Sequence, residues 1–269
     1  MRDIKTTLFV TTFNWPDALA VCLKSILNQT VLPNEIIIAD DGSTNETREI
    51  IKEFRAISPV PIEHIWIADN GYRINHIRNL AIKAAKHPFI IQIDGDVILD
   101  KNFVKDHLRF AKPNRLNMGR RIRLNEKQTE EICLTKDFQD LSSFRSYLFC
   151  LLHQYLLYST KTVRGLRGCN VAYWKKNALD VNGYDETMEG KGKNDKEFGA
   201  RLINAGAIGF NLKKYAICYH LDHEDHDRVT NRKINDLIFK KSIEEKKTMI
   251  EFGIFKTESY PNVLSSNME

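Results

Sequence analysis

Asp94 and Asp96 close an apolar run, Phe89-Ile90-Ile91-Gln92-Ile93, that reads as a buried strand. Side chains two apart on a strand point to the same face, so two carboxylates at its carboxyl end can hold a hard divalent cation, and such a cation seeks a phosphate. On its own an Asp-x-Asp pair is equally a solvated turn; its context decides. Asp195 stands where a helix begins, after the glycine-bearing stretch Glu186 to Lys193. A carboxylate there can take a proton from an attacking hydroxyl, and a helix N-terminus favours the negative charge that a base carries. The bland alternative is capping: Asn194 with Glu197 three residues on has capping-box spacing, and Gly206 suits the helix's end. Further on, the strand-like Tyr215-Ala216-Ile217-Cys218-Tyr219 runs into His220, His223 and His226. Histidines three apart match no standard zinc pattern, so an imidazole joining Asp96 is the better reading. His220 comes first because it directly follows the strand, His223 second, and His226 reads as a surface residue. Mixed carboxylate and imidazole ligation favours manganese over calcium.

The elements that must position these residues follow a regular alternation. Thr7 to Thr12 reads as a strand, and Asn14 can cap a helix with Pro16 in its first turn and Leu19, Leu23, Ile26 and Leu27 along one face. Glu35 to Ala39 is a second strand, followed by Ser43-Thr44-Asn45-Glu46 at capping-box spacing and a helix through Ile50, Ile51 and Phe54. A strand over 62–67, a helix over 74–85 and the strand into Asp94 complete the series. Strands separated by such helices imply right-handed crossovers and a parallel sheet covered on both faces, with ligands at the strands' carboxyl ends. Thr11-Thr12-Phe13-Asn14, Asp40-Asp41-Gly42-Ser43 and Asp94-Gly95-Asp96 all fall at such ends, bordered by Asn70-Gly71-Tyr72-Arg73.

Beyond Asp100 the pattern loosens. A helix over 102–111 precedes the basic stretch Arg120-Arg121-Ile122-Arg123, and an aromatic, Leu-rich helix is expected from about 141 to 158. Its face reads as core, as a dimer seam, or as peripheral membrane contact backed by Lys161, Arg164 and Arg167. A strand over 169–173, a short helix ending near Asn182-Gly183-Tyr184 and a charged helix over 232–252 follow, with a disordered tail after Tyr260.

Composition excludes several classes. The chain has 269 residues, is 42% hydrophobic and 28% charged, and carries a net charge of +5 spread along its length, which does not suggest a nucleic-acid partner. Five cysteines with no C-x-x-C pair argue against a disulfide framework and a structural zinc, and fit a reducing cytoplasm. Neither a signal segment nor about 18 consecutive uncharged apolar residues occurs. The glycine signature of dinucleotide-binding folds and the P-loop are both absent, and Gly190-Lys191-Gly192-Lys193 lacks the spacing.

Together, residues 5 to 225 resemble glycosyltransferases of family 2, nucleotide-sugar-dependent enzymes of the GT-A fold. Gly71-Tyr72-Arg73, Arg78-Asn79 and Ile93-Asp94-Gly95-Asp96 are especially similar to the bacterial polysaccharide and lipopolysaccharide members. The resemblance implies that Asp41 reads the uracil with Asp40 nearby, that Thr12 and Phe13 line the nucleotide pocket, and that Arg73 and Arg78 approach the donor. It places Asp94 at the ribose, and puts Asp96 and one histidine, His220 first, on the Mn²⁺ or Mg²⁺. Arg167-Gly168-Cys169-Asn170 through Asn182-Gly183-Tyr184-Asp185 to Asn194-Asp195 is similar to a galactosyltransferase-like segment, so Gly168 and Asn170 join the donor site and Asp195 becomes the base. That segment's pattern is Gly-Trp-Gly-x-Glu-Asp; here Lys191 replaces the Trp and Asn194 the Glu, which leaves the contacts of those two positions open.

The implied protein is one catalytic domain over 1–260: a nucleotide-binding half (1–100), an acceptor half (101–229) and a C-terminal helix (230–260), with 261–269 as the tail. It would transfer a hexose or N-acetylhexosamine from a UDP-sugar to a glycan or glycolipid acceptor with inversion, in the cytoplasm or at the inner face of its membrane. A non-catalytic glycan-binding module of the same fold is the main alternative. A sugar nucleotidyltransferase expects a glycine-rich basic loop after the first strand, and a processive membrane synthase expects spans.

Overall fold

The computed structural model describes residues 4–139, 141, 158–224, 232–255 and 263–265. Its first part is the expected alternation: β1 (Thr6–Thr12), α1 (Pro16–Leu27), β2 (Glu35–Asp40), α2 (Asn45–Ile57), β3 (Ile62–Ile67), α3 (Ile74–Ala84) and β4 (Phe89–Asp94). The four strands pair in parallel in the order β3-β2-β1-β4. Every residue of β1 and β2 is buried, because helices cover both faces. The period of two sorts their side chains. Leu8, Val10, Ile36, Ile38, Ile91 and Ile93 pack with Leu19, Leu23 and Ile26 of α1, whereas Phe9, Ile37, Ala39 and Ile90 pack with Ile77, Ala81 and Ile82 of α3.

The second part is β5 (Val97–Leu99), α4 (Phe103–Arg109), β6 (Arg115–Met118), β7 (Arg120–Arg123), α5 (Glu126–Thr135), β8 (Tyr158–Thr160), β9 (Val171–Trp174), α6 (Lys175–Asp180), α7 (Asn194–Asn204), β10 (Ile208–Asn211), β11 (Ile217–His220), α8 (Arg232–Glu244) and β12 (Val263–Ser265). β9 continues the large sheet antiparallel to β4 and β6, and β10 and β8 extend it to one edge. β5, β11 and β7 form a small separate sheet. Its Ile98, Ile217 and Tyr219 pack on Ala18 and Val21, so α1 is clasped between two sheets.

Several local expectations are corrected. The residue before α1's first turn is Trp15, and Asn14 does not cap: its φ is 46°, its Oδ1 accepts from the Thr44 N–H and its own N–H donates to Ser43 Oγ. Asn14 and Ser43 thus tie two strand-end loops together instead of capping helices. The capping box that does form, Asn125 with Gln128 on α5, lies in a stretch with little apolar periodicity. Asn194 is the first helical residue of α7, after Lys193 at φ 59°; its Nδ2 donates to Asn75 Oδ1 and to the Gly190 carbonyl. The last helix stops at Glu244 rather than 252, and the tail expected to be disordered contributes β12, paired antiparallel with β3. The helix expected over 141–158 and His226 fall outside the described residues, apart from 141 and 158.

Residues 250–255 form a strap. Asn182 Nδ2 donates to the carbonyls of Ile250 and Glu251, its Oδ1 accepts from the Phe255 N–H, and its carbonyl accepts from the Ile254 N–H. A Cβ at Gly253 would lie 1.9 Å from the Asn182 carbonyl oxygen, so no other residue fits there. The strap also accepts, at Phe252, the N–H of Glu186, which opens the loop leading to α7.

Candidate active site

Parallel register places the reactive side chains. Thr12 pairs with Asp40 and Thr11 with Asp94, so the carboxyl ends of β1, β2 and β4 open side by side. They floor a cavity of about 180 Å³ walled by Thr12, Phe13, Asp41, Tyr72, Arg78, Asp94, Asp96 and Lys191, with Trp15 and His223 at one side. Asp41 faces the cavity and is held by the Arg73 N–H at 3.1 Å. Asp40 does not face it. It is buried, accepting from the Ser43 N–H at 2.8 Å and from His64 Nε2 at 2.9 Å, and so shapes the loop that presents Asp41. Arg73 walls a neighbouring cavity of about 330 Å³ instead.

Arg78 is the hub. Its buried guanidinium donates from Nη1 to Asp195 Oδ1 at 2.7 Å and from Nη2 to Asp94 Oδ1 at 3.2 Å, and lies 5.2 Å from the centre of the Tyr184 ring. Asp94 Oδ1 also accepts from Thr11 Oγ1 at 2.7 Å. Burial pushes the Asp94 carboxyl up despite the opposing charge of Arg78, with Asp96 and Asp195 adding to the rise. The guanidinium is therefore what allows Asp94 and Asp195 to lie side by side. Tyr72 and Tyr184 are likewise pushed up by burial, which keeps both phenols neutral around the hub.

Asp195 opens on a second cavity, of about 210 Å³, that shares Asp94 with the first. Gly168 is there for room: a Cβ at this position would meet Asp195 Oδ1 at 2.3 Å. Its carbonyl accepts from Gln92 Nε2, which fixes the turn against β4.

Asn170 lines neither cavity. It is buried; its Nδ2 donates to the carbonyls of Arg120 and Ala216, and its Oδ1 accepts from His107 Nε2 at 3.0 Å. These bonds make His107 the neutral Nε2–H tautomer. Its Nδ1 is buried with no hydrogen-bond partner among the described residues, and burial pushes the ring pKa down to about 4. The folded value lies below the roughly 6.5 of an unfolded histidine, so the neutral ring's contribution is complete above about pH 6.5 and lost as the pH falls towards 4, by up to about 3 kcal/mol. Urea denaturation between about pH 7.5 and 4.5 should show a shallower acid loss in His107→Gln than in wild type. Equal acid losses would place the effect elsewhere.

The candidate metal ligands converge. β11 runs antiparallel to β5, setting His220 opposite Val97, and the Leu221 N–H donates to the Asp96 carbonyl. Asp96 Oδ2 lies 3.4 Å from His220 Nε2 and 3.2 Å from His223 Nε2, and one ligand atom from each of the three residues falls within 4.8 Å of the others. Both rings use Nδ1 to donate to a backbone carbonyl, of Leu221 and of Glu224, which leaves each Nε2 aimed at Asp96. Burial works to raise the Asp96 carboxyl, but the hydrogen bond from His223 and the charges of both rings bring it below its ordinary value. His223 is correspondingly raised to about 8, chiefly by that hydrogen bond. Asp96 Oδ1 is buried with no hydrogen-bond partner among the described residues. An unsatisfied carboxylate oxygen beside two oriented imidazoles is what a divalent cation would complete, so the residues fit Mn²⁺ or a similar ion. The structure thus brings His223, the second choice of the sequence, to Asp96 together with His220, the first. It adds Trp15, edge-on to His223 at 5.6 Å, whose place just before Pro16 was its only signal.

Comparison with known proteins shows the family and the fold. The family model for Glycosyl transferase family 2 matches residues 7–159, and that for the N-terminal domain of galactosyltransferase matches residues 156–224. Chondroitin synthase of Escherichia coli is 25% identical over 249 residues, covering 84% of this chain and 36% of that protein. Hyaluronan synthase of Pasteurella multocida is 27% identical over 259 residues, covering 86% and 26%. The chain therefore spans only about a quarter to a third of the length of these relatives. Among solved structures, S. aureus TarS 1-349 in complex with UDP-GlcNAc superposes with a TM-score of 0.64 at 16% identity, over 90% of this chain and 66% of that one. The mannosyltransferase PcManGT from Pyrobaculum calidifontis, in complex with GDP-Man and Mn²⁺, gives 0.59 at 13% identity over 82% and 57%. Likeness at such low identity speaks for the GT-A fold. The family match, covering more than half of the sequence, goes further: this chain belongs to glycosyl transferase family 2.

Proposed function

We propose that the chain is an inverting, metal-dependent transferase that moves a hexose or N-acetylhexosamine from a UDP-sugar to a hydroxyl of a surface glycan or glycolipid, leaving a β-linkage. The observation that carries this reading is that Asp94 walls both cavities, with Asp96 and His223 on the first and Asp195 on the second. A donor lying in the first would turn its anomeric carbon towards the base in the second. The bound nucleotide sugars of TarS and PcManGT, and the Mn²⁺ of the latter, support a nucleotide-sugar donor and a divalent ion. No helix among the described residues is long and apolar enough to cross a membrane.

In the proposed reaction Asp41 accepts from the base of the donor, while Thr12 and Phe13 flank it. Asp195 uses Oδ1 for Arg78, which leaves Oδ2 to take the proton of the acceptor hydroxyl. The hydroxyl oxygen bonds to the anomeric carbon as the bond from that carbon to the diphosphate oxygen breaks, and UDP leaves with the electron pair. Asp96, His220 and His223 would hold a divalent cation, which when bound neutralises charge on the diphosphate. Tyr72, half-buried beside the cavity, helps exclude water from the diphosphate end.

UDP release from a panel of UDP-sugars, with and without Mn²⁺, tests the class without knowledge of the acceptor. One sugar should be hydrolysed in a metal-dependent way, and Asp96→Ala should reduce that turnover by about 10²-fold or more. Metal-independent turnover, or an undiminished variant, would remove the metal from the reading. No turnover and no UDP binding across the panel would favour a non-catalytic module.

A further inference from the structure

The second cavity is strongly basic where the first is acidic. Besides Asp94 and Asp195 it is walled by Arg121, Arg167, Lys193 and Lys196. The two carboxylates already share the buried guanidinium of Arg78, so they offer little to the four other cations. Lys193 reaches Asp236 at 4.0 Å, but Arg121, Arg167 and Lys196 have no ion pair among the described residues. The four come from three places: β7, the turn before β9, and the start of α7, where Lys193 and Lys196 lie three residues apart. No single local pattern accounts for their meeting around the candidate base. Like charges gathered in one concave site repel, and an anionic ligand relieves that repulsion while its carboxylate or phosphate takes a paired guanidinium. An acceptor bearing only hydroxyl groups would leave the cations without counter-charge.

We infer that the acceptor is an anionic glycan, bearing a carboxylate or phosphate close to the hydroxyl that receives the sugar, and that Arg167 and Lys196 recognise that anion. The inference rests on the proposed transfer, since Asp195 identifies this cavity as the acceptor side. Arg121 also walls a cavity of about 380 Å³ beside His220 and His223, within reach of the donor end, so it is a poor probe of the acceptor alone. Arg167 and Lys196 wall the second cavity and not the first.

The test compares three oligomers of about four units on the chain loaded with UDP and Mn²⁺: one ending in a hexuronate, its carboxyl-reduced counterpart, and a polyol phosphate. By calorimetry an anionic oligomer should bind at least about ten-fold more tightly than the neutral one. That advantage should fall to about two-fold or less in Arg167→Gln/Lys196→Gln and in about 0.5 M NaCl. Preference for the hexuronate or for the polyol phosphate tells which anion the cavity suits. Equal affinities, no binding by any oligomer, or a preference that persists in the double variant would overturn the inference. UDP-sugar hydrolysis read in parallel separates the two levels. Metal-dependent hydrolysis without anion preference sinks this inference alone, whereas anion preference without hydrolysis leaves an anion site and removes the transfer reading beneath it.

Discussion

Asp195→Asn is expected to lower sugar transfer by about 10³-fold, within the range that a positioned general base contributes, while UDP-sugar affinity stays near that of wild type. The substitution is chosen for shape. Gly168 leaves just enough room for a side chain of this size, and Asn can still offer an oxygen to Arg78 Nη1. What it lacks is the second oxygen able to accept a proton. Asp195→Ala would be harder to interpret, because it leaves the buried Arg78 with Asp94 as its remaining ion partner and could disturb the donor side as well. Donor affinity measured by calorimetry with Mn²⁺, beside initial rates of transfer, separates the two halves of the expectation. A variant that transfers within about ten-fold of wild type would show that Asp195 is not the base. One that loses UDP binding in proportion to rate would make Asp195 part of the donor site.

The largest effect on stability is expected from the ion pair inside α7. Arg201 is completely buried; it donates from Nε and Nη2 to the two carboxylate oxygens of Glu197 at 2.7 and 2.8 Å, and from Nη1 and Nη2 to the carbonyls of Val181 and Gly183 at 2.6 Å each. Glu197 Oε1 also accepts from Ser242 Oγ of α8. The pair joins three segments: α7, which carries Asp195; the turn after α6; and α8. Glu197→Ala should destabilise the protein by about 3–5 kcal/mol, because it leaves a guanidinium charge buried without its counter-charge. The double variant Glu197→Leu/Arg201→Met should cost less than that single change, since it removes both charges and keeps the volume. Urea unfolding of the three proteins reads this directly. A single-variant loss below about 1 kcal/mol, or a double variant worse than Glu197→Ala, would contradict the assignment of this pair as a buried, mutually dependent unit.

What could be read from residues alone followed physical simplicity. β1, β2 and β4 carry apolar runs (Leu8 to Val10, Ile36 to Ala39, Phe89 to Ile91) because both of their faces are covered, and their carboxyl ends bring Asp41, Asp94 and Asp96 together by register. The short strands β5, β6, β8 and β10 escaped notice: at three or four residues each they carry no usable period, and their partners lie far along the chain. β7 was visible only as basic residues. Within the site, Arg78, Asp195 and Gly168 line the two cavities. Asp40 and Asn170 do not, because a polar residue beside a site motif looks the same whether it faces a ligand or satisfies buried backbone and imidazole groups, as these two do with Ser43, His64, His107 and Ala216. The sequence put His220 ahead of His223 because it directly follows the strand; the structure brings both to Asp96, since β11 ends at His220 and the chain then turns irregularly to bring the second ring back.

The strap at Asn182 bears on where this protein can be cut. The two family matches end at residue 224, so trimming to that span would keep Arg78, Asp96, Asp195, His220 and His223. It would also discard Ile250 to Phe255, and with them the bonds that hold Asn182 and the Glu186 N–H. Ser242 would go from Glu197, and Asn235 from the Glu189 carbonyl. The shortened chain would keep both cavities' carboxylates and lack the splint that keeps the route into α7 in place, so the smallest piece that matches the family is shorter than the smallest piece expected to hold Asp195 still.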